Sequence, residues 1–417
     1  MIFLVIAAIA LAVRLNYVES PGFEPDLRSF AEWMRVIQTH GLLNFYEPQY
    51  RVDETDRTYP PLSTAAFGLM ANAYGTVGNA RLEVQRPAFV TVLKVLPIAA
   101  DLAMILAVYI WLSAQPVLQR LITTALALFP AMVIVSGWWG QYDATYTVFL
   151  LLALISLNKD RPLWAWFWFA LALLVKQPAM FFAPLILVLT FRRYGWRKTL
   201  WGMVLCGGLC AIAFAPFILT SGIQNALSPY LQAGDTFPFL TNNAYNTWYL
   251  LGSRLTGGAQ VVFRDPILAD AQIWFAGLSY KLIGLLAFGA FILWLMVLMW
   301  RHAGERREFL WGALLYFGFF MLPTQVHERY LYTAAILTVI ALAQDTRLWW
   351  VAIGVMITFS YNIMAVLRER VMLDVLLSPG ETGVACAGIN VVLFLALLAY
   401  TVVPERPASA VGSIGPT

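Results

Sequence analysis

The chain has 417 residues, enough by length alone for two or three soluble domains. Composition excludes them: 60% of the residues are hydrophobic and 12% charged, about half the ~25% charge of soluble domains. The net charge of +4 sits in loops between apolar runs, so it reports membrane orientation and not a nucleic-acid partner.

The sequence therefore predicts an all-α polytopic membrane protein in a single transmembrane domain over 1–403. Apolar runs at 1–18, 89–112, 119–137, 144–158, 162–177, 178–191, 199–219, 273–300, 308–323, 330–344, 348–366 and 384–403 predict about twelve spans. The first run has no basic region before it and no cleavage signature, so it reads as a retained span. Asp26 is placed to cap an amphipathic helix from Leu27 to about His40, closed by Gly41. Its stripe of Phe30, Trp33, Met34 and Ile37 predicts a helix lying on the membrane surface. Tyr59-Pro60-Pro61-Leu62 starts a second element in the same long loop, 19–88.

Further along, Lys94 and Asp101 are seven apart on one helix, and the spacing favours structural pairing with neighbouring helices. Gln177-Pro178 breaks an apolar stretch. A second long loop covers 220–272, and the Pro-, Ala-, Ser- and Gly-rich tail at 404–417 reads as disordered and cytoplasmic. Cys206, Cys210 and Cys386 lie in apolar runs without metal-ligand spacing. The loops 158–161, 192–198 and 301–307 are basic and are expected in the cytoplasm, which puts Met1 there and both long loops on the opposite side.

Ionisable groups at membrane depth are functional candidates, because a charge there is costly. Glu24-Pro25-Asp26 has two readings, a cap and a general base, and spacing alone favours the cap. Gly137-Trp138-Trp139-Gly140-Gln141-Tyr142-Asp143 is richer than a turn requires. Its Trp residues suit an interfacial belt, while Gln141 and Asp143 beside aromatic rings suit a sugar; the two readings balance. Lys176, next to Gln177, is either a snorkelling lysine or a fixed cation for a phosphate. Thr324-Gln325-Val326-His327-Glu328-Arg329-Tyr330 carries three consecutive ionisable residues where a plain turn would use Gly, Asn or Ser. There Arg329 could fork onto phosphate oxygens and His327 could donate a proton. By the expected topology all four places share one face and suit transfer of a group attached to a phosphate.

In order, FEPDLRSFAEWMRVIQTHGLLNFY, TYPPL, LKVLPIAADL, GWWGQYDA, LVKQPAMFFAPLILV, NNAYNTWYLLG and VHERYLY resemble the GT-C glycosyltransferases. They look like the bacterial relatives of the second mannosyltransferase of GPI-anchor synthesis and, more distantly, the glucosyltransferases that cap the lipid-linked oligosaccharide. The resemblance implies inverting transfer of a hexose, mannose ahead of glucose, from a polyprenyl-phosphate-sugar donor to a hydroxyl acceptor. The reaction would take place at the extracytoplasmic face of a bacterial plasma membrane. It implies no metal and no cofactor beyond the lipid-linked co-substrate.

Carried over by position, Asp26 matches the catalytic acid, which outweighs the cap. Lys176, His327 and Arg329 match the donor phosphate site. Glu24, Tyr59, Trp139, Gln141, Asp143, Gln177, Asn246 and Glu328 fall in the sugar and acceptor pocket. The family's two adjacent acids are here separated by Pro25. The competing class is a transporter or flippase, for which the span count is common, but the two halves lack matching broken helices. A non-catalytic lipid-binding scaffold leaves His327-Glu328-Arg329 beside Lys176 unexplained.

Overall fold

Proline opens most of the helices, as its fixed φ and missing N–H suit the first turn. The computed structural model describes residues 2–50, 59–76, 82, 84–234, 237–257, 266–371 and 380–402. In order come α1 (Ile2–Leu15), α2 (Glu24–His40), α3 (Pro61–Thr76), α4 (Pro87–Trp111), α5 (Pro116–Leu128), α6 (Pro130–Val133), α7 (Asp143–Asn158), α8 (Pro162–Val175) and α9 (Ala183–Ser221). The short α10 (Ile223–Ala226), α11 (Ser228–Leu231) and α12 (Thr247–Leu255) follow. The last five are α13 (Tyr280–Arg301), α14 (Glu308–Met321), α15 (Tyr332–Ala341), α16 (Trp349–Val371) and α17 (Glu381–Val402).

Helices α4, α7, α8 and α9 pack in succession, and α14 to α17 form a second group that meets α7 through α14 and α15. Every residue of α14 and α15 is buried, which explains why both are apolar all round. α13 instead leaves Leu285, Leu286, Leu293 and Trp294 outward, a face suited to lipid.

Among the described residues, five helical runs are long and apolar enough to cross a bilayer, and a pair bent by 48° between Leu128 and Pro130 makes a sixth. Four shorter apolar helices, α1, α7, α8 and α14, accompany them. The run Gln177–Ser221 counts once by length but reverses at Gly195 (φ 81°). Thr190 Oγ1 and Thr199 Oγ1 lie 3.5 Å apart, whereas nine residues of continuous helix would separate them by ~13 Å. The two spans expected on either side of 192–198 are therefore separate arms. The expected count of twelve does not follow from length, because Pro and charged turns trim several segments to 14–16 residues.

Three expectations are corrected. The span expected from 273 begins at Tyr280, after a two-stranded hairpin of Ile273–Phe275 and Leu278–Ser279. Its turn at Ala276 and Gly277 has positive φ at both residues, which a helix cannot accept. α2 does not lie with its apolar stripe on lipid. Leu27, Phe30, Trp33, Met34 and Ile37 are buried in the protein, with Phe30 5.3 Å from both Phe67 and Tyr142 and Trp33 5.2 Å from Tyr59. An aromatic partner surface on α3 wins over the bilayer. Finally, Lys94 pairs with no acid: its Nζ donates to the carbonyls of Tyr17 (3.0 Å) and Ser20 (2.6 Å), tying α4 to the segment between α1 and α2. The tail at 404–417 lies outside the described residues.

The three basic loops meet at one end of the bundle. Arg306 Nη2 donates to Asp160 Oδ2 at 2.6 Å, and Arg193 joins the 301–307 loop through the Glu305 carbonyl (2.8 Å) and the buried Glu308. α7 runs from that end to Asp143, so the remaining candidate residues gather at the other end.

Candidate active site

Gly22 sets the approach of the first loop. Its φ is +66°, and a Cβ there would stand 3.0 Å from the Trp139 carbonyl oxygen and 2.7 Å from Leu27; only glycine lets the two backbones come this close. α2 then begins at Glu24 with Phe23 as its N-cap residue and no side-chain cap bond. Asp26 is inside the first turn and does not cap. Its Oδ2 accepts from Trp139 Nε1 at 2.8 Å and from Gln141 Nε2. Glu24, two residues earlier, stands about 200° round the helix. Its carboxylate takes Arg28 Nη2 at 2.5 Å on the exposed side, so it does not join Asp26.

The GWWGQYD segment is a π-helical turn, Ile134–Trp139, ended by Gly140 in the left-handed region (φ 85°). That turn directs Trp139 and Gln141 at Asp26 and starts α7 with Asp143, which is fully buried. α8 ends at Val175 because Pro178 follows. Lys176 takes extended backbone (φ −153°, ψ 140°) at the break, and its Nζ donates to Asp143 Oδ1 at 2.8 Å. Gln177 is half-buried and opens the 3-10 turn Gln177–Phe182. Tyr59 OH lies 3.5 Å from Gln141 Oε1, and its ring centre is 5.6 Å from Lys176 Nζ.

The 324–330 turn closes the cluster. Arg329 Nε is 3.7 Å from Asp143 Oδ2, its Nη1 is 3.2 Å from Glu328 Oε1, and its guanidinium lies 5.5 Å from the Trp139 ring. His327 Nδ1 is 3.8 Å from Glu328 Oε2. Burial and the neighbouring Arg329 cation hold the imidazole below its usual pKa despite Glu328, so it is neutral near pH 7. Asp143 Oδ2, Arg329 Nε and His327 Nε2 are buried without a hydrogen-bond partner. Native structures rarely leave such groups unmatched, and the three fall in one place.

Asn246 does not belong to the cluster. Its Oδ1 caps α12 through the Trp248 and Tyr249 amides at 3.1 Å, and its Nδ2 holds the Phe320 carbonyl at 2.9 Å. A buried asparagine with these bonds is a structural cap. Ten of the twelve expected residues remain on or beside the site, and of these Asp26, Tyr59, Trp139, Gln141, Asp143, Lys176, His327, Glu328 and Arg329 are connected by the contacts above.

A family model described as the ALG6, ALG8 glycosyltransferase family matches residues 33–379. The chain belongs to this family. It is also 24% identical over 245 residues to the dolichyl pyrophosphate Glc1Man9GlcNAc2 alpha-1,3-glucosyltransferase of Arabidopsis thaliana, covering 54% of this chain and 47% of the relative. The chain thus spans about half the length of the curated relative it matches. Membership in the ALG6, ALG8 family fits the all-α multi-pass architecture, and transfer of mannose is named by neither comparison. The matched stretch includes every clustered residue except Asp26, which stands seven positions before it.

Sequence reasoning missed three contributors. Arg14, the one charge in the first apolar run, pairs with Asp101 (Nε to Oδ2, 2.7 Å) with both side chains fully buried. That lone charge was the available signal. Tyr146 accepts from Thr333 Oγ1 at 2.8 Å, and its ring centre is 6.0 Å from Lys176 Nζ. Asp270, in the second long loop, carries no sequence signal of its own.

Proposed function

We propose that the chain is an inverting hexosyltransferase that moves a sugar from a polyprenyl-phosphate-sugar to a hydroxyl acceptor at the extracytoplasmic face. The observation that carries the reading is the arrangement of Asp26, whose carboxylate is oriented by Trp139 and Gln141, at the same end of the bundle as Arg329 and His327 with their unmatched buried nitrogens. The basic loops at the opposite end support the sidedness.

In this mechanism the Asp26 carboxylate takes the proton of the acceptor hydroxyl as its oxygen attacks the anomeric carbon. The bond from that carbon to the phosphate oxygen breaks on the far side, and the polyprenyl phosphate leaves with the electron pair. Two cations face three carboxylates in the cluster, and Lys176 is already neutralised by Asp143. Spare donors, not net charge, must therefore hold the departing phosphate, and Arg329 Nε is the first of them. Neutral His327 with Nδ1–H toward Glu328 presents Nε2 as an acceptor for a sugar hydroxyl; protonated, it joins Arg329 on the phosphate. Tyr59 and Trp139 supply ring faces, and Gln141 and Glu328 supply hydrogen bonds to hydroxyls.

Glucose, named in the Arabidopsis relative, is the first donor sugar to test. Mannose is the second, favoured by the VHERYLY resemblance. Purified protein in lipid nanodiscs is incubated with radiolabelled polyprenyl-phosphate glucose or mannose and a lipid-glycan acceptor fraction, and the labelled product is identified. Transfer of one hexose with inversion supports the reading. Absence of transfer from either donor, with solute flux in vesicles, replaces it with a transporter.

A further inference from the structure

Asp270 is 1% exposed and lies outside the cluster. Its Oδ2 accepts from Thr324 Oγ1 at 2.7 Å and from Gln325 Nε2 at 2.8 Å. Its own backbone is fixed, with the amide donating to the Pro238 carbonyl (3.1 Å) and the carbonyl accepting from the Lys281 amide (2.9 Å). One carboxylate thus joins the second long loop and the start of α13 to two successive residues of the turn that delivers His327, Glu328 and Arg329.

That turn is strained where Asp270 grips it. Gln325 has φ +64°, a left-handed conformation that a non-glycine residue adopts only when its surroundings impose it. The other restraints act on the same residue: its amide donates to the Phe239 carbonyl at 3.0 Å, and its carbonyl accepts from Asn242 Nδ2 at 2.9 Å. Asn242 in turn donates its amide to the Val326 carbonyl at 2.9 Å. Release of the Gln325 side chain lets φ return to negative values and rotates everything after it. Arg329, four residues on, would then leave its position between Asp143 and Glu328.

We propose that Asp270 is a positioning residue that holds Gln325 in its left-handed conformation and so aims Arg329 at the donor phosphate. The proposal rests on the assignment of Arg329 to that phosphate. Asp270 touches neither substrate; it acts through the backbone of the turn.

The test varies donor and acceptor separately in the nanodisc transfer assay, with thermal unfolding recorded for each protein. D270A is expected to raise the donor KM tenfold or more and leave the acceptor KM within twofold. D270N keeps one acceptor oxygen and falls between. The deciding variant is D270A/Q325G. Glycine takes the left-handed conformation without strain, so the double variant is expected to recover most of the donor KM lost in D270A. An unchanged donor KM in D270A overturns the proposal. So does a double variant no better than D270A, which would make Asp270 a stabilising contact only. R329A is run alongside: an unchanged donor KM there overturns the phosphate assignment itself, whatever Asp270 does.

Discussion

Two buried ionic clusters in this protein differ in one respect. In the first, Asp101 has both oxygens engaged, Oδ2 by Arg14 Nε (2.7 Å) and Ser136 Oγ (2.6 Å) and Oδ1 by Tyr332 OH. Arg14 Nη1 also holds the Ala10 and Ala127 carbonyls at 3.0 Å, leaving only its Nη2 unmatched. It staples α1, α4 and α15 together and has no acidic or basic group to spare. In the second, Asp143, Arg329 and His327 each keep an unmatched atom, and Asp26 is half-buried at the edge. A buried polar group without a partner costs about 1–3 kcal/mol, so three in one place are a strain that a bound substrate would relieve. The saturated cluster is built for stability, and the unsaturated one for chemistry.

The sharpest way to break this comparison is Asp26→Asn. Asparagine keeps the size and the acceptor for Trp139 but takes no proton. Turnover is expected to fall ~10²- to 10⁴-fold with the unfolding midpoint unchanged, measured by transfer assay and thermal unfolding. Near-normal turnover would move the base to another carboxylate.

Asp101→Asn should do the reverse. It leaves the Arg14 charge buried without its counter-ion, a loss of about 3–5 kcal/mol, and lowers the unfolding midpoint while turnover per folded molecule stays within a few-fold of wild type. If turnover collapses with stability intact, the first cluster is not merely structural.

Arg329→Ala separates binding from fold. Loss of a charged hydrogen bond of about 1.5–3 kcal/mol predicts a donor KM raised ten- to a hundredfold, read from initial rates at varied donor. Gly22→Ala tests the approach of α2 to the Trp139 turn. Strain of about 1–3 kcal/mol should lower the unfolding midpoint and cut turnover several-fold together, since the same contact places Asp26.

The smallest effect concerns pH. The His327 pKa is depressed in the folded protein, so its contribution to stability is present above the unfolded value of about 6.5 and is lost as pH falls through the folded value. Wild-type unfolding midpoints should drop between pH 7 and 5 more than those of His327→Gln.

Much of this was legible in the chain. Apolar runs and charge content gave the membrane class, because a helix that satisfies its own backbone is what lipid accepts. The ionic residues of the turns stood out because their neighbours were apolar. Motif order brought in the family, and the choice of Asp26 over Glu24 was already leaning on it. The structure added the reason in helix phase: the two carboxylates point to different sides, and Glu24 is spent on Arg28.

Other features depend on contacts between distant segments. Whether the stripe of α2 meets lipid or protein depends on Phe67 and Tyr142, 37 and 112 residues beyond Phe30, and one amphipathic pattern serves both surroundings. Asn246 looked like a pocket residue because it sits in a motif, yet its bonds are those of a cap. Asp270 was invisible because its meaning lies in two donors more than fifty residues away. The sequence by itself determined which segments are apolar, where proline and glycine stop them and which residues carry charge. Only the tertiary structure decided which charges are saturated and which keep a free atom, because that depends on the distances that packing sets and not on local pattern.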